Sequence, residues 1–148
     1  MRCQHDFSRT FSIKGRNFAR AGVASVSIKE ILRELGVDAA IVQRAAIAAY
    51  EAEMNVVMYA DHGKMVLRLN PQLIQIALED EGPGIEDIEL AMQQGYSTAS
   101  DEIREMGFGA GMGLHNIKKN ADLFELTSTV GKGTSYNIIL YLNRGGER

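Results

Sequence analysis

The chain has 148 residues, 16 of them Lys or Arg and 19 Asp or Glu, for a net charge of −3, with 45% hydrophobic residues and a single cysteine. That length suits one domain with a core of its own, and so even a charge balance gives no general attraction to nucleic acid or an anionic membrane. Cys3 has no partner for an internal disulfide and no zinc-like Cys/His spacing around it, and neither a signal-peptide run nor a stretch of about eighteen apolar residues occurs, so the expectation is a cytoplasmic protein in a reducing compartment.

Residues 6–13 alternate Phe7, Arg9, Phe11 and Ile13 with Ser8, Thr10 and Ser12, the period of a first strand. From Arg16 the period lengthens: Phe18, Ala21, Ala24, Ile28, Ile31, Leu32 and Leu35 share a helical stripe that Gly36 ends. Asp38 is placed to cap a second helix, in which Ile41, Val42, Ala45, Ala49, Ala52, Val56 and Tyr59 keep the helical period to Ala60. On this helix Glu51 and Asn55 put a carboxylate and an amide on one face, with Cβ atoms roughly 5–6 Å apart. By themselves they read as a polar surface contact. Glu53 sits about 200° round the helix from Glu51 and reads as a solvated charge.

Residues 65–69 and 73–78 form an antiparallel hairpin across Asn70-Pro71-Gln72, and the second strand leads to Asp80-Glu81-Gly82-Pro83-Gly84-Ile85. Residues 85–94 suit a short helix, and Gly95-Tyr96-Ser97-Thr98 opens a polar segment to Met106 that reads as a mobile lid. A second glycine box follows, Gly107-Phe108-Gly109-Ala110-Gly111-Met112-Gly113-Leu114. Four glycines in alternate positions let backbone N–H groups crowd an anion, and the helix that begins there, Leu114-His115-Asn116-Ile117-Lys118-Lys119, adds a positively polarised N-terminus. This pattern points to phosphate binding, while Lys118, Lys119 and His115 read as surface side chains. Residues 123–130 and 135–142 are two more strands around Gly131-Lys132-Gly133-Thr134, and residues 143–148 are a frayed polar tail. That turn is no P-loop, since Leu126 stands where the first glycine is required, and no G-x-G-x-x-G follows an early strand.

Together, Glu51-x-x-x-Asn55, Asp80-x-Gly82-x-Gly84, the box at 107–113 and Gly131-x-Gly133-Thr134 make the chain, over about residues 6–142, resemble the GHKL (Bergerat-fold) ATP-binding family. Gly95-Tyr96-Ser97-Thr98, Gly111-Met112-Gly113-Leu114 and Val130-Gly131-Lys132-Gly133-Thr134 look like its bacterial anti-sigma and switch-protein serine kinases, above all the stressosome switch kinases of the RsbT type. The resemblance implies an α+β fold, a two-layer α/β sandwich with helices on one face of a mixed, mainly antiparallel sheet, as a single domain over residues 1–148. It implies an ATP-dependent protein serine/threonine kinase that uses ATP and Mg²⁺. In that family pattern Glu51 is the general base and Asn55 ligates the Mg²⁺. Asp80 accepts a hydrogen bond from the adenine amino group, with Thr134 supporting it directly or through water, and Gly82 and Gly84 let the backbone pass under the base. Gly109, Gly111 and Gly113, with the N–H groups near Met112 and Leu114, cradle the phosphates, and Arg104 in the lid is a candidate for the γ-phosphate on closure.

The implied phosphoacceptor is a Ser or Thr of a STAS-domain protein, an antagonist or a stressosome scaffold, with a sigma factor or a downstream phosphatase as further partners and neither nucleic acid nor membrane. Monomer or dimer stays open. The alternative is a nucleotide-gated protein that sequesters a partner with little turnover. Tyr50 before the base, Met54 before Asn55 and Glu81 inside the adenine box depart from the family pattern and bear on rate more than on nucleotide binding. With no phosphoacceptor-histidine helix ahead of the domain and no large second domain after it, complete sensor kinases and the topoisomerase, chaperone and mismatch-repair branches are not expected.

Overall fold

Alternation of inward apolar and outward polar side chains is the pattern from which the sheet is built. A computed structural model describes residues 7–93 and 113–142. In chain order these form β1 (Phe7–Lys14), a 3-10 turn (Phe18–Arg20), α1 (Val23–Glu34), α2 (Ala39–Tyr59), β2 (His62–Leu69), β3 (Leu73–Glu81), α3 (Ile88–Ala91), α4 (Gly113–Asn120), β4 (Leu123–Thr129) and β5 (Gly133–Tyr141). The five strands lie in the order β1-β2-β3-β5-β4, and every pairing among the described residues is antiparallel. Met65, Leu67 and Leu69 of β2, Ile74, Ile76 and Leu78 of β3, and Tyr136, Ile138 and Leu140 of β5 all face one side and are buried. Register sets Leu67 opposite Ile76 and Ile76 opposite Ile138, so a continuous apolar layer crosses the three central strands. Each fully buried Leu or Ile contributes about 1.5–3 kcal/mol.

The helices cover that layer. α2 packs against both α1 and α4 and reaches β1, β2, β3 and β5. Its Ala45, Ala48, Ala49 and Ala52 are fully buried, and their small side chains let neighbouring elements approach closely. Asp38 caps α2 by accepting from the Ala40 N–H at 3.1 Å. Gly36, at φ +82°, closes α1, with the N–H groups of Gly36 and Val37 returning to the carbonyls of Arg33 and Leu32. Arg44 fastens α2 to the far end of α4, donating to the Asn120 carbonyl and to Asp122, each at 3.0 Å. No helix among the described residues is long and apolar enough to cross a membrane.

Several expectations shift. The stripe from Arg16 is not one helix: the 3-10 turn comes first, and α1 begins only after Gly22, whose φ is +96°. The short helix expected over 85–94 is one turn, Ile88–Ala91, capped by Asp87. β2 starts three residues before the apolar run because His62, Gly63 and Lys64 pair with Glu81, Asp80 and Glu79. Glu53 is the largest correction. It is not a solvated charge but 2% exposed, and it accepts from the backbone N–H groups of Gly22, Ala24 and Ser25 at 3.0–3.1 Å. A carboxylate there answers the unsatisfied donors and partial positive charge at the start of α1.

Candidate functional site

From residue 51 to residue 60 the second half of α2 is buried except at Glu51, Asn55 and Tyr59. Their four-residue spacing makes them one stripe, and it faces α4 and the end of the sheet. Asn55 donates from Nδ2 to the Tyr136 hydroxyl at 3.2 Å. Tyr136 is buried on the inner face of β5, and burial, with Asp80 and Tyr59 nearby, pushes its hydroxyl well above its ordinary range. Its proton therefore stays in place, and the hydroxyl fastens Asn55 of α2 to β5.

Asn116 of α4 donates from Nδ2 to Glu51 Oε2 at 3.0 Å. Gly113, the first residue of α4, faces the same pair: a Cβ built on it would stand 3.3 Å from Asn55 Oδ1 and 3.5 Å from Glu51 Oε1. Two oxygens, one anionic and one neutral, thus converge where the glycine box enters the helix. Burial raises the Glu51 carboxyl above its usual value, and the Asn116 amide partly offsets this. A carboxylate disfavoured as an anion is a better proton acceptor.

The second cluster lies where β3 and β5 end. Asp80 Oδ1 accepts from the Thr134 N–H at 3.0 Å, while Oδ2 accepts no hydrogen bond among the described residues. Burial raises the Asp80 carboxyl and the Thr134 N–H partly lowers it. The Thr134 hydroxyl meets Ser128 Oγ at 2.9 Å, and Ser128 also donates to the Gly133 carbonyl and accepts from the Ile85 N–H at 2.7 Å. With Gly82 N–H to the Lys132 carbonyl and Gly131 N–H to the Pro83 carbonyl, the first glycine box is laced to the β4–β5 turn. Gly84, at φ +79°, touches the backbone of Thr129 and Val130, and a Cβ on Gly82 would come within 2.9 Å of Ala60. Both glycines therefore have a packing reason within the chain, apart from any ligand. A cleft of ≈ 810 Å³ at this end reaches Asp80 and Thr134 but opens past Lys14, Lys64 and Glu79, the outer side of the sheet, and Glu51 and Asn55 do not line it.

Glu51, Asn55 and Gly113 are thus brought together, and Asp80, Gly82, Gly84 and Thr134 form a second group, with Tyr136, the partner of Asn55, near enough to Asp80 to feel its charge. Leu114 stands at the start of α4 with its side chain in the core. Gly109, Gly111, Met112, Arg104 and the segment from Gly95 lie outside the described residues. Lys118 and Lys119 are exposed in the last turn of α4, away from its N-terminus. Asn116, Tyr136 and Ser128 were not singled out from the sequence. For the two strand residues the available signal was a polar group at an inward position, since Tyr136 and Ser128 fall on the buried side of their strands; Asn116 lies off the buried Leu114–Ile117 stripe of α4 and gave no such signal.

Residues 17–139 match the family described as the histidine kinase-like ATPase domain. The chain is 32% identical over 118 residues to the serine/threonine-protein kinase RsbT of Bacillus subtilis (strain 168), covering 77% of this chain and 83% of that protein. It is 35% identical over 102 residues to the anti-sigma F factor of Caldanaerobacter subterraneus subsp. tengcongensis, covering 66% and 68%. In structure it is similar to the mycobacterial sensor histidine kinase MprB, with a TM-score of 0.52 at 16% identity over 90% of this chain and 97% of that one. The Acinetobacter baumannii histidine kinase AdeS gives a TM-score of 0.51 at 15% identity over 92% and 68%. These two likenesses show the two-layer α+β fold.

Proposed function

This chain belongs to the family of histidine kinase-like ATPase domains, and on that premise we propose that it is an ATP-dependent protein serine/threonine kinase of the anti-sigma and switch-kinase type. It transfers the γ-phosphate to a Ser or Thr of a STAS-domain protein. The observation that carries this reading is the convergence of Glu51 Oε1 and Asn55 Oδ1 on Gly113, at the mouth of the glycine box. The names of its relatives, a serine/threonine-protein kinase and an anti-sigma factor, support it.

Asp80 fits the adenine end. Its Oδ1 is held by the Thr134 N–H, which leaves Oδ2 to accept from an exocyclic amino group. The phosphates would then be met by the N-terminus of α4, whose dipole favours negative charge, and Gly109, Gly111, Met112, Gly113 and Leu114 would be the residues to cradle them. Mg²⁺ fits Asn55: Tyr136 occupies the amide nitrogen, so Oδ1 is left as a hard neutral oxygen donor. Asn55 would hold the ion from the protein side, with phosphate and water as its further ligands, as Mg²⁺ commonly takes. When bound, it offsets phosphate charge.

In the transfer step the acceptor hydroxyl oxygen bonds to the γ-phosphorus, its proton passes to Glu51, and the bond to the β–γ bridging oxygen breaks to release ADP. Such a reaction depends on positioning and charge stabilisation, and a half-buried carboxylate supplies the proton acceptor. The test is calorimetric binding of ADP with and without Mg²⁺, paired with phosphate transfer to candidate STAS-domain proteins. Magnesium-dependent binding with transfer upholds the reading. Binding with no transfer to any partner favours a nucleotide-gated binding protein, and no binding refutes both.

A further inference from the structure

We propose that Asn116 is a positioning residue for Glu51: it holds Oε2 of the carboxylate so that Oε1 is the oxygen that takes the proton, and it thereby sets α4 in register with the base. This rests on the kinase reading and deepens it.

The geometry divides the carboxylate into two unlike oxygens. Oε2 receives the Asn116 amide at 3.0 Å, while Oε1 lies on the side of Gly113 that also holds Asn55 Oδ1. Asn55 is divided in the same way, with its nitrogen on Tyr136 and its oxygen toward Gly113. Two side-chain hydrogen bonds thus turn two reactive oxygens toward one point. Asn116 is itself well fixed, because its carbonyl accepts from Asn120 Nδ2 at 2.9 Å and Arg44 clamps the end of the same helix. Since Glu51 lies on α2 and Asn116 on α4, this hydrogen bond, beside the packing of the two helices, ties the orientation of the base to the position of α4.

The chemistry favours an amide in this place. A free glutamate samples several rotamers, and a carboxylate displaced by about 1 Å costs on the order of 100-fold in rate. An arginine or lysine would hold it as firmly but depress its basicity strongly. The titratable neighbour on its own helix is Tyr50, and from α4 the group that meets it is the neutral Asn116. Among the described residues no cation forms an ion pair with Glu51. Glu51 is therefore oriented without being neutralised.

The test has one readout independent of phosphate transfer. In ¹H–¹⁵N spectra the Asn116 side-chain amide, assigned by its loss in Asn116→Ala, should carry a downfield proton whose shift disappears in Glu51→Ala. In single-turnover transfer, Asn116→Ala should lower the rate about 10- to 100-fold while ADP affinity changes by less than about 3-fold. Asn116→Gln, which keeps the donor, should recover part of the rate, and Asn116→Asp, which opposes two carboxylates, should recover none. An amide shift indifferent to Glu51 overturns the proposal, as does wild-type transfer by Asn116→Ala. A wild-type protein that transfers no phosphate refutes the kinase reading instead, and the amide shift still upholds or removes the pairing.

Discussion

Replacing Glu53 with glutamine removes the charge that ties the start of α1 to α2 while keeping nearly the same volume. The carboxylate is 2% exposed; Oε2 accepts from the Gly22 N–H at 3.0 Å and the Ala24 N–H at 3.1 Å, and Oε1 from the Ser25 N–H at 3.0 Å. A glutamine has one acceptor oxygen, so at least one of these N–H groups is left facing an NH₂ that cannot accept. Losing charged hydrogen bonds worth about 1.5–3 kcal/mol each, with at least one buried donor orphaned, is the main cost. The lost interaction with the helix N-terminus adds about 0.3–1 kcal/mol. The amide in turn avoids several kcal/mol of carboxylate desolvation, which offsets much of this. The net expectation is a loss of about 2–4 kcal/mol, or roughly 5–15 °C in Tm for a chain of this size. Thermal unfolding followed by circular dichroism, with the exposed Glu79→Gln as control, measures it. A Tm for Glu53→Gln within about 2 °C of wild type would refute the assigned role.

Other perturbations address the site directly. Gly84→Ala must place a Cβ against the Thr129–Val130 backbone at φ +79°, so its urea midpoint should fall by the equivalent of more than about 2 kcal/mol; an unchanged midpoint contradicts that packing. Tyr136→Phe removes the partner that turns Asn55, and calorimetry should show Mg²⁺–ADP binding weakened about 3- to 10-fold with metal-free binding little changed. Equal loss with and without metal would point away from Asn55 as the ligand. Burial raises the Glu51 carboxyl above 4.5, so the folded chain disfavours its ionisation. When both folded and unfolded chains hold the proton the group contributes nothing; as pH rises through the ordinary carboxylate range and past the raised folded value, a cost develops and stays. Glu51→Gln should accordingly be slightly more stable than wild type at neutral pH and equal to it below about pH 4. A variant less stable at neutral pH reverses the sign and removes the argument.

How far the sequence carried this account is clearest on α2. Asp38 and Gly36 were readable as helix boundaries because capping is a local event, decided within a few residues. The spacing of Glu51 and Asn55 was readable for the same reason. Helical geometry also correctly turned Glu53 away from Glu51, but the inference of solvent on that side assumed a helix with one buried face. α2 is covered by α1, α4 and the sheet together, and past Tyr50 only the stripe of Glu51, Asn55 and Tyr59 stays partly open. What lay opposite Glu53 was the start of α1, some thirty residues away in sequence. The partners of the site share this difficulty: Asn116 lies 65 residues from Glu51 and Tyr136 lies 81 from Asn55, so only the fold could bring them together. The strands were legible through alternation, and their extra length at Gly63 and Gly133 was not, because glycine gives no apolar signal.

The most direct test of the central claim is single-turnover transfer from [γ-³²P]ATP with Mg²⁺ to STAS-domain proteins of the same cell, comparing wild type with Glu51→Gln at matched nucleotide occupancy. The account predicts label on a partner Ser or Thr with the wild type and a loss of about 100-fold or more with Glu51→Gln, which keeps the shape of the site but loses the proton acceptor. Equal labelling by the two proteins, each shown to bind ATP equally, would contradict Glu51 as the base and with it the proposed chemistry of the site.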